Sequence, residues 1–346
     1  MSLRRNLKTT IKDIAGKCEV STQTVSRVIN NKPDVSPETR EKIQTVIKEM
    51  GYRPSAVARC LVKQHSLTIG VVIGGLRYLG VANTLDGITE ACDKAGYSLI
   101  INQVFQIDSS NIVEFIETLM EHQVEGIIFA VPDVKDNIRL TQRQLPADCP
   151  PIVFLKCEPN PNFTSLSIDN YGGARRAVEY LLSVGRRKIG LIAGPLDWLE
   201  SRQRKQGWED ALNSYGIESS PQEWVEGDWS SASGEIAFTE LCTNFPEMDA
   251  IFASNDQMAL GAMHYSHLHG IRIPEDIAFI GFDDLTEGAF FTPSLSTVTH
   301  PLRELGMQSV KKLLELIQGK NLPNMNQTII LDTGLILRES TQKKYN

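Results

Sequence analysis

At 346 residues the chain exceeds what one hydrophobic core usually fills, so two or three cooperating units are expected. With 41% hydrophobic and 22% charged residues it is no disordered or low-complexity chain, and no apolar run approaches the roughly 20 residues that cross a bilayer. The net charge of -7 is uneven: residues 1–63 carry 13 Lys and Arg against 6 Asp and Glu, which leaves the remainder acidic. A basic head suits a module that faces a polyanion, although charge alone fits a solvated arm equally well.

The first sixty residues read as short helices. Thr10 is a candidate cap for Ile11 to Lys17, Ser21 for Thr22 to Asn30, and Ser36 with Pro37 opens a third helix that stops at Gly51. Beyond Ser66, apolar strands alternate with amphipathic helices: Thr68–Ile73, Ser98–Ile101, Gly126–Val131 and Ile152–Leu155, then Lys188–Ala193, Ala250–Ser254 and Ala278–Phe282. The Pro-rich stretch Glu158-Pro159-Asn160-Pro161-Asn162 divides these into two series. Two similar parallel α/β lobes with a cleft between them are expected.

Six cysteines (Cys18, Cys60, Cys92, Cys149, Cys157 and Cys242) form no C-x-x-C pair, which reads as free thiols in a reducing cytoplasm. The basic start Arg4-Arg5 runs into charged helix and not into the apolar stretch of a secretion signal, so a cytoplasmic location is expected.

Helical spacing over Val20 to Asn30 buries Val25, Val28 and Ile29 and turns Thr22, Gln23, Ser26 and Arg27 outward. Gln pairs bidentately with adenine and Arg with guanine, while Thr meets a thymine methyl. A polar helix face of this kind is otherwise ordinary solvated surface. The segment closely resembles the lactose/galactose repressor family over Ile11-Lys12-Asp13-Ile14-Ala15, Val20-Ser21-x-x-Thr24-Val25-Ser26-Arg27-Val28-x-Asn30, Val35-Ser36-x-x-Thr39-Arg40 and Gly51-Tyr52-Arg53-Pro54. The likeness continues at lower density to about Arg338.

This resemblance implies an all-α helix-turn-helix headpiece over 1–53, a hinge helix and linker over 54–65, and a two-lobed core over 66–340 like a periplasmic binding protein. The lobes would comprise about 66–162 with 292–323, and about 163–291 with 324–340. It implies DNA contacts from Thr22, Gln23, Ser26, Arg27 and Asn30, and from Ala58 and Leu61 in the hinge, where Leu61 would wedge into the minor groove of a pseudo-palindromic operator bound by a homodimer. Two departures stand out: Glu19 occupies the family's usual glycine in the turn, which suggests an altered turn, and Ser55 replaces its usual Asn.

In the core, Asn255-Asp256, Asp283-Asp284 and Ser201-Arg202-Gln203-Arg204 follow strands, where open α/β sheets bind ligands. Carboxylate, amide and guanidinium grip vicinal hydroxyls, and Trp229 can stack on a sugar face. The resemblance assigns effector contacts to Arg204, Trp229, Asn255 and Asp283; Tyr78 and Asp169-Asn170 are weaker candidates. His300 stands where sugar-responsive relatives commonly carry Gln. Asp256 and Asp284 read equally as structural caps.

His264-x-x-His267-x-His269 lacks a supporting carboxylate or cysteine, so no metal and no cofactor is expected. Neither a phosphate loop nor a hydrolase elbow is present, and no enzyme activity is expected. The reading is therefore a DNA-binding transcription regulator, most simply a repressor, controlled by a small molecule of carbohydrate type. A solute receptor without DNA function is the alternative; the basic head argues against it.

Overall fold

The computed structural model describes residues 9–52, 65–105, 112–319 and 327–342, which fall into two compact units, residues 1–66 and 67–346. In the first, α1 (Ile11–Cys18), α2 (Thr22–Ile29) and α3 (Pro37–Glu49) begin at the expected caps Thr10, Ser21 and Ser36. Thr10 and Asp13 cap reciprocally, the Thr10 amide donating to Asp13 at 2.7 Å. Ile14, Cys18, Val25, Val28, Ile43 and Val46 form one buried cluster, so each helix contributes its apolar face to a shared core.

Glu19 ends α1 with φ 58° and ψ 40°, the left-handed conformation that glycine adopts freely. The altered turn expected from this glutamate is therefore not seen: the backbone keeps a glycine-like turn, at a cost of about 1 kcal/mol. Packing of Cys18 against the other helices holds it there.

The second unit contains two six-stranded sheets. The first consists of β1 (Thr68–Ile73), β2 (Ser98–Gln103), β3 (Gly126–Ala130), β4 (Ile152–Leu155), β5 (Thr164–Ile168) and β11 (Thr328–Leu331), in the order β11-β5-β4-β3-β1-β2. The second consists of β6 (Ile189–Ala193), β7 (Trp224–Glu226), β8 (Ala250–Ala253), β9 (Ala278–Asp283), β10 (Ser296–Thr299) and β12 (Leu335–Ile336), in the order β12-β10-β9-β8-β6-β7. All pairs are parallel except β10 with β12.

The expected lobe boundaries need correction. β5 pairs with β4 and so belongs to the first lobe, β10 pairs with β9 in the second, and β11 returns to the first beside β5. The Pro-rich stretch is only the β4–β5 loop, and the chain crosses between lobes after Ile168, near His300 and around Asp332–Gly334. The physical reason is core membership: Leu166 and Ile168 pack in the first lobe's core, whereas Val298 packs in the second's.

Each sheet is covered on both faces. α4 (Leu79–Ala95) and α11 (Leu302–Ile317) cover one face of the first sheet, and α5 (Ile112–Glu121) and α6 (Asn137–Gln144) the other. α7 (Asn170–Ser183) with α8 (Leu199–Ser214), and α9 (Ser231–Asn244) with α10 (Asp256–Leu268), cover the second. Between α4 and α11 the backbones touch: a Cβ on Gly87 would lie 2.0 Å from the Arg303 carbonyl oxygen, and one on Gly306 would lie 2.2 Å from that of Thr84. This rigid framing fixes the strand ends that carry the cleft.

Candidate functional site

On α2, Thr22, Gln23 and Arg27 are exposed and Ser26 is half-buried, opposite buried Val25 and Val28. Asn30 does not project freely: it caps α2, and its amide donates to the Ser26 carbonyl at 2.8 Å. Arg27 lies 3.2 Å from Asp34 in an exposed ion pair that a phosphate or base edge can displace at small cost. Ala58 and Leu61 lie outside the described residues.

The second site lies where strand ends of the two lobes face each other. Tyr78, Lys156, Trp198, Glu200, Arg204, Trp229, Asn255, Asp283 and His300 line a cavity with about 490 Å³ of empty space, partly open to solvent. Much of that space opens to solvent, and the enclosed part is a narrow slot of about 60 Å³. Val134 and Trp198 form a β-bridge across the cleft, and the Leu199 amide donates to the Asp133 carbonyl at 3.0 Å.

Arg204, 3% exposed, organises the floor. Its Nε donates to Asn170 Oδ1 at 2.9 Å, one terminal nitrogen donates to the Ser254 carbonyl and lies 3.5 Å from Asp283, and the guanidinium stacks 3.7 Å over Phe282. Burial lowers its pKa while Asp283 and Glu200 raise it; an arginine stays cationic throughout. Asp283 sits at φ 111°, a strained position of the kind that clusters at ligand sites. Burial raises its pKa, but Arg204, the His300 hydrogen bond and Lys156 outweigh that, so the carboxyl ends below its usual value.

The same burial, opposed by the Asp283 hydrogen bond and helped by Arg204, pulls His300 down to about 4. His300 is therefore neutral near pH 7, with Nδ1–H donating to Asp283 at 2.9 Å and Nε2 left as an acceptor. Lys156, buried among these groups, has its pKa lowered by burial and donates to the Gly80 carbonyl at 3.2 Å.

Trp229 takes φ 75° and lies against Gly194, where a Cβ would come within 2.2 Å of the indole. Asn255 holds this conformation: its amide donates to the Trp229 carbonyl at 2.9 Å while its oxygen accepts from the Met258 amide at 2.8 Å. Tyr78, Trp198 and Trp229 meet edge to face, at centroid distances of 5.0 and 5.9 Å.

Of the residues singled out from sequence, Tyr78, Arg204, Trp229, Asn255, Asp283 and His300 come together here. Asp169 does not: it caps α7, accepting from the Gly172 amide at 2.8 Å, and pairs with Arg176. Its neighbour Asn170 enters the site only by orienting Arg204. Asp256 is structural, accepting from Thr297 Oγ1 at 2.6 Å and from the Leu285 amide at 2.8 Å, and Asp284 pairs with Arg338. Lys156, Trp198 and Glu200 were missed, although Lys156 directly follows β4, and Trp198 and Glu200 lie in the β6–α8 connection and first turn of α8, the segment that also carries Arg204.

His269 stacks on Tyr265 at 3.8 Å, and no group of three or more His, Cys, Asp or Glu among the described residues is placed to hold a metal. No described helix is long and apolar enough to cross a membrane.

A helical headpiece and a two-lobed ligand cleft define a DNA-binding regulator with a periplasmic-binding-protein-like core. The model for bacterial regulatory proteins of the lacI family matches residues 10–55, and that for the periplasmic binding protein-like domain matches residues 178–341. The ribose operon repressor of Haemophilus influenzae is 33% identical over 332 residues, 96% of this chain and 98% of that protein. The lactose operon repressor of Escherichia coli is 33% identical over 335 residues, 96% of this chain and 90% of its own length. A crystal structure of the lac repressor dimer bound to operator and an anti-inducer superposes with a TM-score of 0.86 at 31% identity, covering 97% of this chain and all of that one. The chain belongs to the lacI family of bacterial regulatory proteins: it is a transcription regulator, and the reading as a receptor without DNA function is not favoured.

Proposed function

We propose that this chain is a dimeric, cytoplasmic repressor that acts by binding alone, without catalysis, and that a carbohydrate in the cleft sets its affinity for a pseudo-palindromic operator. Thr22, Gln23, Ser26 and Arg27 read base edges in the major groove, Asn30 supports Ser26, and Ala58 and Leu61 enter the minor groove from the hinge. Tyr78, Arg204, Trp229, Asn255, Asp283 and His300 hold the effector, with Lys156, Trp198 and Glu200 beside them.

The observation that carries this reading is the buried Arg204–Asp283–His300 cluster facing Glu200 Oε2 and Trp229 Nε1, neither of which has a hydrogen-bond partner among the described residues. Buried polar atoms left unpaired cost about 1–3 kcal/mol each, and a polyhydroxyl ligand supplies the missing partners. The lobes are joined by three crossing segments, so a ligand that favours one lobe spacing biases the whole core.

The test is operator binding by the full-length protein, on a site obtained by selection, with and without ribose, galactose or lactose. A ligand should change operator affinity by about 5- to 150-fold, and Asp283→Ala should abolish that change. Selection that returned only asymmetric sites would refute the dimeric reader.

A further inference from the structure

We infer that the cleft is built for an uncharged hydroxyl-bearing ligand, a neutral carbohydrate in preference to its phosphate ester or amine, and that Glu200 enforces this choice. The inference rests on the effector reading above and adds the charge class of the ligand. Four charged side chains line the cavity, Lys156 and Arg204 against Glu200 and Asp283, so their charges cancel. Part of each cation's donor capacity is already in use. Arg204 is held by Asn170, Ser254 and Asp283, and Lys156 donates to the Gly80 carbonyl.

Glu200 is 6% exposed, and its Oε2 is buried with no hydrogen-bond partner among the described residues. Behind it stands Asp133 from the other lobe, also buried and with Oδ1 likewise unpartnered; burial, and then the charge of Glu200, raise its pKa to about 6. This end of the slot is therefore electronegative and short of a donor, while the Trp229 Nε1–H is buried and short of an acceptor. A hydroxyl both donates and accepts, so hydroxyls answer both needs. A phosphate ester only accepts, so it leaves Glu200 without a donor and adds negative charge beside Glu200 and Asp133, whereas an ammonium only donates, leaves Trp229 without an acceptor and adds positive charge beside Lys156 and Arg204.

A flat base is uncharged too, but the aromatic walls do not suit it. Tyr78 and Trp198 meet at 71°, and Trp198 and Trp229 at 67°, so neither of these touching pairs presents parallel faces for a base. One indole face against the C–H face of a sugar ring fits this arrangement.

The deciding experiment is calorimetric titration of the full-length protein with ribose, galactose and lactose, ribose 5-phosphate, galactose 6-phosphate, galactosamine and hypoxanthine. At least one neutral sugar should bind, with its phosphate or amine at least about a hundredfold weaker, as a site with committed polar groups discriminates. Glu200→Gln should weaken the neutral sugar about tenfold and narrow the gap to the phosphate by a similar factor. The variant should keep one cooperative melting transition like that of wild type, which separates ligand discrimination from misfolding. Tighter binding of a phosphate or amine, or an unchanged neutral-to-phosphate ratio in Glu200→Gln, overturns the inference while leaving the effector reading intact; binding of hypoxanthine alone overturns both. Silence from every probe sinks both.

Discussion

The His300 ring donates through Nδ1 to Asp283 Oδ1 at 2.9 Å, tying one of the crossing segments between the lobes to the end of β9. The histidine side chain is only 5% exposed, and an Arg204 nitrogen lies 3.5 Å from the same ring nitrogen. Protonating the ring would therefore place a second cation beside a buried guanidinium, and the contact holds with His300 neutral and Asp283 ionised.

This gives a pH signature. The pKa of His300 falls from 6.5 to about 4 on folding, so the unfolded chain takes up the proton first. Its contribution should be complete above pH 6.5, fall as pH drops from 6.5 to 4, and level off below. The loss should total roughly 3 kcal/mol. Asp256, raised by burial to about 8, acts in the opposite direction, as does Asp133. The measurement is thus the difference between wild type and His300→Gln in denaturant unfolding across that range; a flat difference would contradict the neutral-histidine assignment.

Arg204→Met should destabilise the core by about 3–5 kcal/mol, because it leaves Asp283 buried without its charged partner. The double variant Arg204→Met, Asp283→Asn should recover part of that loss, since the Asp283 charge is removed together with its partner. Both should lose the effector response. Urea denaturation of the single and double variants gives the coupling directly, and strict additivity would show that the 3.5 Å pair contributes nothing.

Gly194→Ala places a methyl where the Trp229 indole lies, 2.2 Å from its Cη2. The ring must shift, at about 1–3 kcal/mol of stability. Tryptophan emission should change, and effector affinity should drop about tenfold through lost ring contact and the loss of the Nε1 donor. Unchanged emission and affinity would mean that the indole does not form the cleft wall.

Glu19→Gly relieves a left-handed backbone position in the α1–α2 turn. The headpiece should gain at most about 0.5 kcal/mol, the relief of strain being largely offset by the greater freedom of glycine in the unfolded chain. Operator specificity should stay the same, because Gln23 and Arg27 are on the exposed face of α2. Thermal melting of the headpiece transition and a binding selection with the variant check the two parts.

Local features were readable from sequence because they obey short-range rules. The caps at Thr10, Ser21 and Ser36, the apolar face of α2 and the run of β-strands each depend on residues only a few positions apart. Arg204, Trp229, Asn255, Asp283 and His300 could be nominated from strand-end positions and family likeness. Their partners could not: Arg204 meets Asn170, Ser254 and Asp283 across 34, 50 and 79 residues of chain. The allocation of β5, β10 and β11 also escaped, since a short apolar strand carries no mark of which sheet edge it will extend. Asp169 and Asn255 look alike in sequence as polar groups at helix starts, yet only Asn255 lines the cavity. Sequence therefore determined the local elements and the residue chemistry. Only the tertiary structure decided which of those residues share the cleft, because long-range strand pairing and mutual burial set both the neighbours and the charge state of each group.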